Sequence, residues 1–400
     1  MKEIARNITA YVAAHEDELI DFLSRLVSIE STTYHEREAI EFISSTMRNL
    51  GYDEVRIDGA GNCLGRIGNG PMVILADAHV DTVEPGDPAA WGFDPLVPCI
   101  EHRTISGRGV VDDKGPLSAL IFAGKAIKEL GLGERLTYWV SASISEEDVE
   151  GSCVQAMMEL NPSIKPDAII VAESSDGHVI RGHKGRALIR MEVLGRAAHA
   201  SEAHRGENAL IKAIPMIEAI DKWKDLPEDP FLGAGSIEIT KVICDTPSLN
   251  TIPGKVTVIA DRRISCGEST ELLLSQLEPM LALSDAQASV DTEEVTTYTG
   301  YRITQVDYFP SWVLEEEHPL IASAKESYRL VTDRQPVVTK WNFCTNATYL
   351  CGITGIPSVG YGPGDHGLCH STKEILSFDE LTEATAIYAM MAVHMAAVLD

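Results

Sequence analysis

Five short stretches of the sequence combine residue types that can hold a metal ion or move a proton. "ADAHVDT" carries His79 and Asp81, and "GRGVVDDKG" carries Asp112. "SASISEEDVEGS" sets Glu146 beside Glu147, "IIVAES" ends on Glu173, and "GPGDHGLCHSTKE" brings in His370. Two-residue spacing in a strand puts His79 and Asp81 on the same face. A metal-bound imidazole commonly has its second nitrogen held by a carboxylate, and Asp81 is placed to do that for His79.

Charge supports two metals. If Asp112 bridges two divalent ions, His79 and Glu173 complete one position and Glu147 and His370 the other. The ions then bring four positive charges, matched by three carboxylates and a bridging hydroxide. Neutrality matters for a cluster at the bottom of a cleft. Two imidazoles with three carboxylates suit zinc, and cobalt or manganese also fit. That leaves Glu146 without a metal. A carboxylate beside an acidified water can take its proton and pass it to a leaving amine. Glu147 is therefore read as a ligand and Glu146 as the proton carrier, with Asp148 and Glu150 as solvated loop acids.

The elements that must position these residues follow from the apolar pattern. Residues 35–51 place Ile40, Ile43, Met47 and Leu50 on one helical face and end on Gly51. "PMVILADAHVD" (71–81), "RLTYWVSAS" (135–143) and "DAIIVAES" (167–174) are continuous apolar runs of strand length. Between the first two, residues 115–131 read as a helix with Pro116 near its start. Strands apolar on both faces and alternating with helices imply a sheet covered on both sides, an α/β architecture. Four of the five stretches fall at strand ends or the loops after them, the edge where open α/β sheets bind ligands.

From about residue 181 the strands half-alternate, at 187–195, 235–243 and 255–264, and two strong helices separate them at 206–223 and 269–284. This order predicts an α+β unit with helices on one face of a mostly antiparallel sheet, inserted into the larger domain. The expected division is 1–180, 181–300 and 301–400, the outer parts forming one catalytic domain. The chain closes on a helix from about Ser377, where "SFDE" has capping-box spacing.

Composition narrows the function class. The net charge is −27, from 33 basic and 60 acidic residues. That argues against nucleic acid, whose phosphates require a basic surface, and against an anionic membrane. No window is expected to supply the ~20 apolar residues of a span. The N-terminal residues lack a secretory pattern, and none of the eight cysteines forms a C-x-x-C pair. Both features predict a cytoplasmic protein with reduced thiols.

"HVDTV", "GRGVVDDKG", "SEE…EGS", "VAES", "GRAAHASEAHRGENA", "NTIPGKVTVIADRR" and "GPGDHGLCHSTKE" occur in one order over essentially the whole chain. Together they resemble the co-catalytic zinc peptidases and deacylases, which include glutamate carboxypeptidase, succinyl-diaminopimelate desuccinylase, acetylornithine deacetylase and aminoacylase. The resemblance implies a phosphorylase/hydrolase-like catalytic domain and a ferredoxin-like lid and dimerisation domain. It implies that Asp112 is the bridging ligand, with a cis bond to Asp113. It also implies that His199 stabilises the oxyanion, from the partner subunit in dimeric relatives. Asn250 and Arg263 match positions that hold a substrate carboxylate, a role suited to a guanidinium fork.

Three features depart from the usual pattern. Ala203 replaces a proline, Asn346 stands where many relatives have Asp and would remove a charge near the cleft mouth, and the loop after Glu147 is longer. Two of these, with "YFPSW" and "KWNFCTN", resemble a hydrolase subgroup linked with selenium-metabolism gene clusters. His183 and Lys184 sit where the chain crosses into the lid, within reach of substrate. Cys344, Cys369, His204 and His366 are read as packed or solvated.

The reading is a two-metal amide hydrolase acting on a small N-acyl amino acid or dipeptide-like substrate with a free carboxylate. A metal-bridged hydroxide attacks and Glu146 is the general base; the enzyme is a cytoplasmic homodimer joined through the lid. Its competitors are a deacylase or carbamoyl-amide hydrolase of non-peptide substrates, a catalytically silent metal-binding module, and a two-metal phosphoesterase.

Overall fold

A computed structural model describes residues 1–244 and 246–399. Its centre is a nine-stranded mixed sheet. The strands run Glu54–Ile57, Cys63–Ile67, Leu136–Ser143, Met72–His79, Ala168–Ala172, Ser358–Tyr361, Val179–His183 and Trp312–Val313, and Val338–Trp341 also pairs with Val179–His183. Met72–His79 is parallel to both of its neighbours, and Ser358–Tyr361 is parallel to Ala168–Ala172.

The apolar runs are buried on both faces, and their alternation sorts two cores. Ile74, Ala76, Ala78, Tyr138, Val140, Ile170 and Ala172 face a core shared with the helices Lys114–Glu129 and Phe378–Val398. Leu75, Trp139, Ile169 and Val171 face a second core with Val154, Met157 and Ile303. Parallel strands covered in this way leave their carboxyl ends as the open edge on which a site can be built.

The C-terminal helix corrects one expectation. Phe378–Val398 has the length and composition of a membrane span, but 72% of its most apolar window is buried inside the fold. It is apolar all round because it is a core helix, enclosed by helices Lys2–Ala14, Lys114–Glu129 and Pro319–Thr332. Ser377 and Glu380 form the expected capping box.

A second sheet is antiparallel, ordered Ser236–Ile243, Lys255–Ile264, Gly185–Leu194 and Ala286–Val290, with Tyr308–Phe309 also on Gly185–Leu194. Ala187, Ile189, Met191 and Val193 alternate inward against helices Ala209–Lys222 and Thr270–Leu281. Strand and helix follow in β-α-β-β-α-β order, which is the ferredoxin-like arrangement. The hairpin Thr292–Thr296/Arg302–Val306 then forms a two-stranded sheet of its own, whose Val295 and Ile303 pack into the second core of the first sheet. Its turn, which holds residue 300, is anchored by Tyr298 Oη donating to the Gly61 carbonyl at 2.7 Å.

His183 lies at the end of its strand, fully buried and edge-on to Trp312, with ring centroids 5.7 Å apart. Its Nδ1 meets the Lys184 carbonyl at 2.8 Å, and Nε2 has no hydrogen-bond partner among the described residues. Burial lowers its pKa to about 4. The folded protein therefore resists the proton that the unfolded chain accepts near pH 6.5, and stability falls as pH drops from 6.5 towards 4. The loss from this group is expected to be roughly 3 kcal/mol. Denaturant unfolding across that range should show the slope, and His183→Gln should flatten it.

Candidate active site

The carboxyl edge of the first sheet gathers the five stretches. His79 is the last residue of its strand and Glu173 directly follows Ala168–Ala172. Glu146 and Glu147 open a helical turn after Leu136–Ser143, set by Ser145 at φ 56°. Asp112 precedes the helix Lys114–Glu129, its peptide to Asp113 is cis, and His370 enters on a turn at φ 60°.

Asp112 shows a different oxygen to each imidazole. Its Oδ1 is 3.0 Å from His79 Nε2, which is 3.7 Å from Glu173 Oε1. Its Oδ2 is 3.2 Å from His370 Nε2, which is 2.9 Å from Glu147 Oε2. His79, Asp112 and Glu173 form one group of converging donors, and Asp112, Glu147 and His370 another. A third, exposed group (Asp176, Asp365 and His366) shares no residue with either.

The electrostatics follow from crowding. Burial pushes the Glu146, Glu147 and Glu173 carboxyls above the ordinary carboxylate range, and neighbouring acids add to it. Burial opposes charge on His79, yet hydrogen bonds to Asp112 and Asp81 outweigh it and hold the imidazole well above its usual pKa. Hydrogen bonds to Asp112 and then Glu147 push His370 up to about 10. Asp112 is held low because the two imidazoles overcome its desolvation. Imidazolium protons thus answer the excess of carboxylates, and divalent cations answer the same excess with more charge. Glu147 Oε1, buried with no hydrogen-bond partner among the described residues, is a further free ligand atom. The donor set therefore fits two divalent ions.

Glu146 is only 7% exposed, lines the cavity, and its carboxyl makes no hydrogen bond among the described residues. Its backbone is fixed from below. Asp81 accepts from Glu146 N at 3.0 Å, Glu147 N at 3.2 Å and Thr33 Oγ1 at 2.9 Å. This corrects the reading of Asp81 in one detail. Its carbonyl oxygen, at 2.9 Å, takes the hydrogen bond from His79 Nδ1, while the carboxylate stands at 3.4 Å. Glu36, unremarked in the sequence, accepts from Ser145 N at 3.0 Å and Ser145 Oγ at 2.9 Å. It thereby holds the left-handed residue that aims both glutamates.

Asn346 is also corrected. It lies far from the cleft mouth, 2% exposed, beneath the loop. Its Nδ2 donates to Asp77 Oδ2 at 2.8 Å and Ser143 Oγ at 3.0 Å, and its Oδ1 accepts from Gly151 N at 3.0 Å. An amide suits this place because it donates to Asp77 with one end and accepts from Gly151 N with the other. Asn346→Asp would place two buried carboxyls in contact and is expected to cost roughly 3 kcal/mol or more of unfolding free energy in denaturant titration.

The cavity encloses about 330 Å³. Arg263 reaches its wall, where Nε and Nη2 bind Asp261 at 2.8 and 3.2 Å. His199 and Asn250 do not line it; they pair with each other, Nε2 to Nδ2 at 3.1 Å, on an exposed two-stranded bridge. Lys184 and His183 are also outside the lining, and Lys184 Nζ donates to the Ala234 carbonyl. Cys344, Cys369 and His366 do line it, the last tied to Asp176 at 3.1 Å. Glu150, read as solvated, instead pairs with Arg186 within the cavity wall. A basic residue opening a strand at the crossing between the two sheets was the available signal for Arg186.

The profile of peptidase family M20/M25/M40 matches residues 75–394. YgeY of Escherichia coli (strain K12) is 34% identical over 378 residues, spanning 94% of each chain. The acetylornithine deacetylase of Vibrio campbellii is 26% identical over 357 residues, 86% of this chain and 87% of that one. Among solved structures, the Bacillus subtilis YXEP protein, described as a dinuclear metal binding peptidase, superposes with a TM-score of 0.69 at 14% identity, covering 96% of this chain and 99% of that one.

Proposed function

The chain belongs to peptidase family M20/M25/M40, and on that premise we propose how its cleft performs the family's metal-dependent amide hydrolysis on small N-acyl amino acids or dipeptide-like substrates. The observation that carries the proposal is the division of Asp112 between two imidazoles, one on each carboxylate oxygen. Asp112 would contribute to both positions, with His79 and Glu173 completing one donor set and Glu147 and His370 the other. Zinc suits this donor set, and cobalt or manganese also fit. Two divalent ions, when bound, supply a Lewis acid for the carbonyl and lower the pKa of water.

The protein's own groups do the rest. Glu146 takes the proton released at the attacking water and delivers it to the departing nitrogen, for which its unpartnered, cavity-facing carboxyl is free. Asp81 orients His79 through its carbonyl and fixes Glu146 and Glu147 through its carboxylate. Arg263, braced by Asp261, receives the substrate carboxylate. His199 and Asn250, exposed and away from the cavity, serve the site of a second subunit in a homodimer built on the ferredoxin-like unit, where His199 stabilises the oxyanion. Eight cysteines free of disulfides agree with a reducing, cytoplasmic setting.

The test is to strip the protein with chelator and reload it with zinc, cobalt or manganese. Amine release is then followed over N-acyl amino acids, dipeptides and ureido acids. Activity restored by metal on one of these classes supports the reading and separates peptidase from deacylase. Full metal uptake with no turnover on any class would favour a silent metal-binding module.

A further inference from the structure

His79 and Glu173 are placed by the paired strands they end or follow, and the backbone of Glu147 is held by Asp81. His370 is placed differently. It sits on a turn at φ 60°, ahead of the short strand Ile375–Ser377, and its side chain is 54% exposed. That strand pairs antiparallel with Thr104–Ser106, which leads into the loop carrying Asp112. Where the ladder stops, a side chain takes over. Glu374 Oε2 accepts from Gly109 N at 2.9 Å and from Val111 N at 3.2 Å, and its Oε1 accepts from Arg108 Nη1. One carboxylate from the His370 segment thus grips the loop immediately before Asp112. Arg108 in turn lies over the Trp91 ring at 5.2 Å, and Trp91 Nε1 donates to the Pro85 carbonyl at 2.8 Å, in the segment that follows Asp81.

The Arg108 and Glu374 side chains are 3% and 0% exposed. A buried ion pair is a poor source of stability, because apolar residues of similar volume often serve as well or better. Apolar residues could not accept from the two loop N–H groups, which would then stand buried and unpaired. What the carboxylate supplies is a fixed distance between two loops. The other half of the centre has its own supports. Asp113 Oδ2 accepts from His79 N at 3.1 Å, and Lys114 Nζ binds the Leu26 and Ile29 carbonyls at 3.1 and 2.8 Å. Resting on the two-ion reading above, we propose that Glu374, braced by Arg108, is a positioning residue that sets His370 against Asp112. It thereby builds the metal position that Glu147 completes, and the position of His79 and Glu173 does not depend on it.

The test titrates zinc into the apoprotein by calorimetry and measures the thermal midpoint of the apoprotein beside it. The wild type is expected to bind two ions. Glu374→Asp keeps the charge and loses the reach. It should weaken one binding step by about 10- to 100-fold, the usual cost of losing a group that orients a metal ligand, and leave the other at wild-type strength. Anomalous maps of the variant should place the tightly held ion between His79 and Glu173. Arg108→Lys keeps the charge and the backbone bonds of Glu374, and both steps should stay as in the wild type. Glu374→Gln presents an amide to Arg108 and should give the same selective loss, which decides the matter if the aspartate variant does not fold. Equal weakening of both steps, or a lower thermal midpoint with both steps intact, overturns the inference. Fewer than two ions on the wild-type protein overturns the two-ion reading and this inference with it.

Discussion

Asp112→Asn is expected to empty both metal positions together. Each oxygen of Asp112 faces a different imidazole, so one substitution weakens two ligand sets that otherwise share no residue. Metal content after zinc loading and gel filtration should fall from about two ions per chain to well below one. Turnover should be lost almost entirely, since enzymes of this kind depend on their ions for much of an acceleration that is at least ~10⁶-fold. The fold should survive, because removing one anion from a crowded cluster relieves repulsion and leaves both cores untouched. Circular dichroism would verify that. Retention of one full equivalent of metal would mean that Asp112 belongs to a single position.

Glu146→Gln should separate chemistry from metal binding. Neither group of converging donors includes Glu146, so metal content should match the wild type. The amide keeps the shape of the side chain but cannot accept and return a proton. Turnover is therefore expected to fall by roughly 10²–10⁴-fold, the usual worth of a positioned general acid–base. The same measurement on the metal-loaded variant would remove Glu146 from this role if turnover held, and would reassign it as a ligand if metal content fell with activity.

The legible parts of the site were those fixed by local pattern. Apolar runs marked the buried strands, and the acids and histidines at their ends converge because parallel strands share one carboxyl edge. Which face each residue serves, Ile74 one core and Leu75 the other, came only with the structure, because a run apolar on both faces does not mark it. What stayed hidden depends on contacts between distant loops. Asn346 meets Asp77 across 269 positions, and Glu36 meets Ser145 across 109. Nothing near either residue announces its partner. Glu150 was misread for a related reason: an acid in an acidic loop looks solvated until Arg186, on another strand, closes over it. The C-terminal helix was legible as a helix, and its apolar surface, which runs all round, is the pattern of a helix enclosed in a core.

The most direct test of the central claim is anomalous diffraction from zinc-loaded crystals, collected above and below the zinc edge. Two peaks are expected, one on each side of the Asp112 carboxylate. His79 and Glu173 should flank the first, and Glu147 and His370 the second. A single peak, or a second one at the exposed Asp176, Asp365 and His366 group instead, would contradict the shared-carboxylate centre on which the mechanism rests.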